Sequence, residues 1–262
     1  MGYALITGAS SGVGAQFSIA LANLGYDLVL VARGADRLTR VGTAISEQTG
    51  RQCEILAADL STSAGLARVE QRLAGQTDPI EFLVNNAGFG TKGDFLSNAV
   101  AEEQDMLNVN VTAVMRLCHA ALPGMIERGR GDIINVASVA AYIPSDSGPG
   151  YGASKAYVVS LTDSLAVSLE GTGVHISVLS PGFVHTEFHQ RLEMDTTWIP
   201  SWLWLEAPRV VSDSLDAHLA GRHSSIPAKR YKAVVTLAKI VPRTTLRKVL
   251  IKARDLQRAR HS

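Results

Sequence analysis

A chain of 262 residues with 46% hydrophobic content holds ample material for one large α/β core, and a single domain is the starting expectation. Lys plus Arg is 25 against 24 for Asp plus Glu, so the formal charge of +1 gives no global reason to expect a nucleic-acid partner. Cys53 and Cys118 make neither a CxxC nor a metal-type pair, which fits a reducing, cytoplasmic setting.

No basic segment followed by a long apolar run opens the chain, and Ile6 stands where a myristoylation motif wants Ser or Thr. The first apolar run, Tyr3-Ala4-Leu5-Ile6, ends at Thr7-Gly8, and an amphipathic stretch over about 13–24 follows until Gly25. That is strand, glycine turn, helix. Strands are expected again over 28–32, 53–57, 82–84, 133–137 and 176–179, with helical patterns between them. Apolar runs this continuous imply strands covered on both faces, hence a doubly wound, mostly parallel sheet with right-handed crossovers. Past Pro181 the alternation lapses into an aromatic segment with Trp198, Trp202 and Trp204, broken by Pro200 and too short to span a bilayer as a helix. It follows a strand's carboxyl end, where such folds bind ligands, so residues 183–210 are expected to be a substrate lid within a domain covering 1–227. A basic helical extension over 228–262 completes the chain.

In Thr7-Gly8-Ala9-Ser10-Ser11-Gly12-Val13-Gly14 three glycines stand between a strand and a helix. The backbone can turn tightly there and approach a pyrophosphate at the positive helix N-terminus, and the small side chains leave room for phosphate. Glycine clusters also serve ordinary turns; the place on the first strand is what singles this one out. The spacing is GxxxGxG, not the GxGxxG of long-chain dehydrogenases. With Asn85-Asn86-Ala87-Gly88 after the fourth strand it resembles the short-chain dehydrogenase/reductase family.

That resemblance implies a Rossmann-type fold and a dinucleotide held by Gly8, Ser10, Ser11, Gly12, Val13 and Gly14, and by Asn86, Ala87 and Gly88. It places Asp59 on the adenine amino group, beside Leu60. Pro181-Gly182-Phe183-Val184-His185-Thr186 resembles the family's PG motif, so Pro181, Gly182 and Val184 would line the nicotinamide and Thr186 would touch its amide. Asp59 and Thr186 each read also as helix caps, and Ser61 or Thr62 can take that role from Asp59. The second strand ends Val31-Ala32-Arg33, where an acid would select NAD. A guanidinium there can grip a 2′-phosphate in a bidentate fork, reinforced by Arg37, so NADP(H) is favoured over NAD(H). The alternative leaves Arg33 solvated, with Asp36 on the ribose.

Tyr151 and Lys155 stand four apart, adjacent on one helix face, where the ammonium would favour the phenolate and lower a pKa that is ordinarily about 10. Such pairs are common on helices and usually mean nothing; their partners here decide otherwise. Ser138 lies thirteen positions before Tyr151, the family's spacing for a serine that holds the substrate oxygen. Asn110, in Asn108-Val109-Asn110-Val111, matches the asparagine that completes the family's tetrad through a water leading to the lysine. The resemblance covers about residues 3–186 and implies hydride transfer between NADP(H) and a carbonyl or secondary alcohol, with Tyr151 as general acid/base and Lys155 also on the nicotinamide ribose. A non-catalytic NADP(H) sensor on the same fold is the alternative.

His185 and His189 stand four apart around Glu187, but no third ligand is evident and no metal is expected. The tryptophans point to a lipophilic small-molecule substrate. Family members often form dimers or tetramers through the helices holding Asn110 and Tyr151. From residue 228 onward eleven Lys or Arg face one acid, Asp255, a net of +10 that leaves −9 for the rest. Val234, Leu237, Ala238, Val241, Leu246, Leu250 and Ile251 recur there at helical intervals. Such helices can rest on acidic lipid, or they can pack against the acidic body with a solvated basic face, which is the preferred reading.

Overall fold

The structure, a computed structural model, describes residues 2–92, 95–144, 148–192 and 196–261. Seven parallel strands form one sheet in the order β3-β2-β1-β4-β5-β6-β7: β1 Tyr3–Thr7, β2 Asp27–Ala32, β3 Cys53–Ala57, β4 Ile80–Asn85, β5 Gly131–Val136, β6 Val174–Leu179 and β7 Ser224–Ser225. The helices are α1 Gly12–Asn23, α2 Ala35–Thr49, α3 Ser63–Ala74, α4 Val100–Leu107, α5 Val114–Glu127, α6 Pro149–Ser168, α7 Glu187–Arg191, α8 Ala207–Leu219, α9 Lys229–Ile240 and α10 Arg243–His261. A π-helical turn, Asn108–Ala113, joins α4 to α5.

Period-two alternation along each strand divides the core into two layers. Leu5, Val29, Val31, Leu83, Ile133, Ile176 and Val178 face Leu66 and Val69 of α3, Leu117 of α5 and Val158 of α6. Ala4, Ile6, Leu28, Leu30, Val84, Ile134 and Leu179 face Phe17 and Leu21 of α1, Leu38 and Ile45 of α2, and Val210 and Leu215 of α8. Each such Leu, Ile or Phe stabilises the fold by about 1.5–3 kcal/mol on burial. The helical run 100–127 is apolar enough to cross a membrane by length alone, but Met106, Ala113, Leu117 and Met125 bury one side of it in this core.

Strand order reverses between β1 and β4, and a crevice opens at such a switch point outside the strands' carboxyl ends. Thr7 fastens this junction. Its Oγ1 donates to Val84 O (3.3 Å) and accepts from the amides of Asn86 and Ala87, both at 2.9 Å.

β7 is only Ser-Ser, so no apolar run announces it; it pairs with Val178 and Leu179 at the sheet edge. Below it His218 bridges Ser177 Oγ (2.7 Å) and Asp132 Oδ1 (2.9 Å). Over the first turns of the segment from residue 228, Tyr231 and Val235 of α9 are buried and Tyr231 joins the α1/α8 core layer.

Candidate active site

Helix α6 starts from Gly148, in the left-handed conformation at φ 65°, with Pro149 in its first turn. One turn in, it presents Tyr151 and Lys155 on the same side. Lys155 is buried, its Nζ donating to Val136 O at the end of β5 (2.9 Å) and lying 5.8 Å from the centre of the Tyr151 ring. The Tyr151 hydroxyl hydrogen-bonds to Ser138, whose own Oγ accepts from Ala140 N (3.1 Å) to cap a short 3-10 turn over Val139–Ala141.

Asn110 has no solvent exposure and sits in the π-helical turn, a distortion that often marks function because it re-aims one side chain. Its Nδ2 donates to Phe89 O (2.9 Å) and Ser154 Oγ (3.0 Å), and its Oδ1 accepts from Phe89 N (3.0 Å). Ser154 in turn donates to the Tyr151 carbonyl (2.7 Å), so the turn grips α6 beside the phenol. A Cβ placed on Gly88 would fall 3.0 Å from Asn110 Oδ1 and 3.1 Å from Lys155 Nζ, which brings the three residues to one point and explains the glycine. The four residues singled out for chemistry are thus gathered at the carboxyl ends of β4 and β5.

The electrostatics differ from the sequence expectation. Burial pushes the Tyr151 phenol up to about 12, with the Ser138 hydrogen bond pulling the other way. Burial likewise draws Lys155 down to about 8. The ammonium donates to Val136 O, and the phenol's loss of water outweighs what the Ser138 hydrogen bond offers. Without a bound partner the phenol stays protonated, the form required of an acid.

The dinucleotide cradle is built by closeness. Gly8 and Gly12 have φ of 68° and 56°, and a Cβ on Gly14 would stand 2.3 Å from Gly8 O. Asn86 Nδ2 donates to Thr7 O (2.9 Å) and Gly8 O (3.4 Å), so this side chain shapes the turn. Ser10 and Val13 flank the turn part-buried, Ser11 leads into α1 with no side-chain cap bond, and the positive end of a twelve-residue helix is thereby aimed at the crevice. These features fit a pyrophosphate.

Around it, Asp59 Oδ1 accepts from Ser61 N (2.9 Å) and Ser61 Oγ (2.8 Å), while Thr62 is the cap of α3, accepting from Gly65 N (3.1 Å). Leu60 is buried beside them. Ala87 donates to Thr7 and Pro181 O accepts from Val139 N (3.0 Å), which ties the PG loop to the strand carrying Ser138. Val184 bridges to Leu205, and Thr186 caps α7 by accepting from Phe188 N (3.3 Å). Thr186 also rests over the glycine turn, 3.1 Å from where a Gly12 Cβ would be. Arg33 is exposed at the end of β2. Arg37, expected to reinforce it, gives its fork to Glu187 of α7 (3.1 and 2.5 Å), a lid-side partner that no local pattern revealed.

The lid covers the phenol: Phe188 lies 5.7 Å from the Tyr151 ring, and Gly90 stands between Tyr151 and Leu192. The tryptophans do not form one cage. Trp204 stacks on His185 at 4.6 Å, whereas Trp198 and Trp202 are 49% and 63% exposed. Residues 193–195 of the expected lid, and the His189 side chain, lie outside the described residues.

Sequence reasoning gave no positioning role to Asn85, Asn135, Thr162 or Tyr231. Asn85 Nδ2 donates to Asn135 Oδ1 (2.9 Å) and Asn135 Nδ2 to Thr162 Oγ1 (2.9 Å), a buried polar ladder from β4 through β5 to α6; an Asn inside an apolar strand is its visible signal. Tyr231 packs where a Gly182 Cβ would lie (2.0 Å), accepts from Phe183 N (3.1 Å) and donates to Leu203 O (2.7 Å).

A parallel sheet with a glycine cradle at its switch point and, beside it, a part-buried Tyr one helical turn from a buried Lys defines an oxidoreductase of the nucleotide-binding α/β class. The short chain dehydrogenase model matches residues 2–197, and the chain belongs to that family. It is 31% identical over 238 residues to the ketoacyl reductase HetN of Nostoc sp., spanning 90% of this chain and 82% of that one. Among solved structures, a short-chain dehydrogenase from Sphingobium yanoikuyae in complex with NADPH superposes with TM-score 0.84 at 32% identity, covering 93% and 97% of the two chains. A bulky-bulky ketone specific alcohol dehydrogenase from Comamonas testosteroni gives 0.79 at 29%, over 93% and 96%.

Proposed function

We propose that this protein is an NADP(H)-dependent reductase or dehydrogenase of lipophilic carbonyls or secondary alcohols, with Tyr151 as its proton-transfer group. The observation that carries the reading is the Tyr151 hydroxyl hydrogen-bonded to Ser138, one helical turn from a buried Lys155. The coenzyme supplies the hydride in reduction and accepts it in oxidation. Gly8, Ser10, Ser11, Gly12, Val13, Gly14, Asp59, Leu60, Asn86, Ala87, Gly88, Lys155, Pro181, Gly182, Val184 and Thr186 are the residues we assign to hold it. Tyr151, raised to about 12, gives its proton to the carbonyl oxygen as negative charge develops there, and takes it back when an alcohol is oxidised. Ser138 holds that oxygen in line, so part of the acceleration is positioning. Lys155, at about 8, is the cation that steadies the phenolate left behind. Asn110 acts through Ser154 and the Tyr151 carbonyl to fix the helix carrying both.

Preference for NADP(H) is supported by Arg33 standing exposed where an acid would select NAD, and by the NADPH complex of the Sphingobium relative. A lipophilic substrate is supported by Phe188 and Leu192 beside the phenol and by the bulky-ketone relative. Coenzyme consumption across ketones of graded size tests the assignment. In Arg33→Asp the ratio of kcat/KM for NADPH to that for NADH should fall by about tenfold or more, as expected when a charge-assisted fork is lost. An unchanged ratio would remove Arg33 from coenzyme selection.

A further inference from the structure

If the basic extension packed on the body through its apolar positions, Val234 and Leu237 would be buried. The structure docks it through other residues. Helix α9 docks through Tyr231 (5% exposed) and Val235 (1%), leaving Val234, Leu237 and Ile240 at 46%, 63% and 74% exposure. Three residues spaced by three lie along one side of a helix, so they form an outward apolar stripe. In α10 Leu246 and Leu250 are half-buried, whereas Val249 and Ile251 remain 58% and 45% exposed.

Cations lie on the same two helices. Lys232, Arg243, Arg247, Lys248 and Lys252 are exposed, Lys239 reaches over the Tyr142 ring at 4.9 Å, and the segment from residue 228 onward carries a net +10. Trp202, 63% exposed, adjoins the same region: the neighbouring carbonyl of Leu203 accepts from Tyr231 and that of Trp204 from Arg230 (3.2 Å). Apolar side chains and an indole facing out from helices bordered by Lys and Arg are what the headgroup layer of an anionic bilayer accommodates, apolar groups dipping below the cations. A second copy fits this face poorly, since a two-fold contact would set +10 against +10.

We propose that α9, α10 and Trp202 form a peripheral docking surface for a bilayer rich in anionic phospholipid. The test is sedimentation of the full chain with vesicles of phosphatidylcholine alone or mixed with phosphatidylglycerol, at low and high salt. Binding is expected only to the mixed vesicles and should fall as salt screens the cations. Leu237→Asp/Ile240→Asp should lower the partition coefficient by about tenfold or more, because two anchoring groups turn acidic. Both positions face solvent, so circular dichroism and melting temperature should match the wild type. Absence of wild-type binding to mixed vesicles, or equal binding of wild type and double variant, would overturn the proposal. So would a fall from dimer to monomer in sedimentation velocity on making the double variant with vesicle binding unchanged, which would give the stripe to a second copy.

Discussion

The two halves of the site are held by different forces. The half on the strand ends, with Asn110, Asn135, Ser154 and Lys155, is buried, and its hydrogen bonds run between groups that water does not reach. The half that follows Pro181 is more exposed: the Arg37–Glu187 pair has side chains 42% and 41% exposed, and Trp198 and Trp202 are 49% and 63% exposed. Buried polar networks are costly to leave half-made and so specify one arrangement, whereas exposed ion pairs contribute little and yield readily. The first half is therefore the more firmly fixed of the two.

Breaking the buried half should have the larger effects. Lys155→Met should cost turnover about 100-fold or more while raising the melting temperature. The folded value of Lys155, about 8, lies below its ordinary 10.5, so between those pH values the unfolded chain binds a proton that the folded chain has released. The contribution of Lys155 to stability then rises with pH across that window, and below it the buried cation weighs on the fold by about 3 kcal/mol. Thermal melts from neutral to alkaline pH check this: the stability advantage of Lys155→Met over the wild type should shrink as pH rises, and a constant advantage would place the titration elsewhere.

Next in size is Asn135→Leu, which leaves Asn85 and Thr162 without their partner in a dry interior. Urea unfolding should show a loss of about 2–3 kcal/mol, and a loss below about 0.5 kcal/mol would mean that the ladder does not hold α6. Glu187→Gln sharpens the comparison from the exposed side. Stability should change by less than about 1 kcal/mol, while KM for NADPH falls a few-fold, with kcat unchanged, as Arg37 is freed from its lid partner. A drop in kcat would show that the pair orders the reacting groups as well.

The buried half was also the legible half. Strand runs and glycine spacing disclosed β1 to β6 and the cradle, Tyr151 and Lys155 stood one helical turn apart, and Ser138 and Asn110 came through the family resemblance. What escaped depends on contacts far apart in sequence. The glycine at 182 answers to Tyr231, 49 positions on; Arg37 answers to Glu187, 150 positions away. β7 consists of two serines and earns its place from the edge of β6 alone. Helical periodicity in the extension showed an apolar side without showing which way it would turn, because Tyr231 and Val235, not the more regular Val234 and Leu237, are the residues that reach the core. The phenol's upward shift was missed for a related reason: pairing with a cation four residues away is visible in sequence, but the depth at which both are buried is not.

Tyr151→Phe is the sharpest test of the account, measured as turnover with a ketone that the wild type reduces and, in the same samples, as coenzyme affinity by calorimetry. Removing one hydroxyl should lower kcat by about 100-fold or more and leave the coenzyme Kd within about twofold. A variant that still turns over at close to the wild-type rate would show that the proton comes from another group.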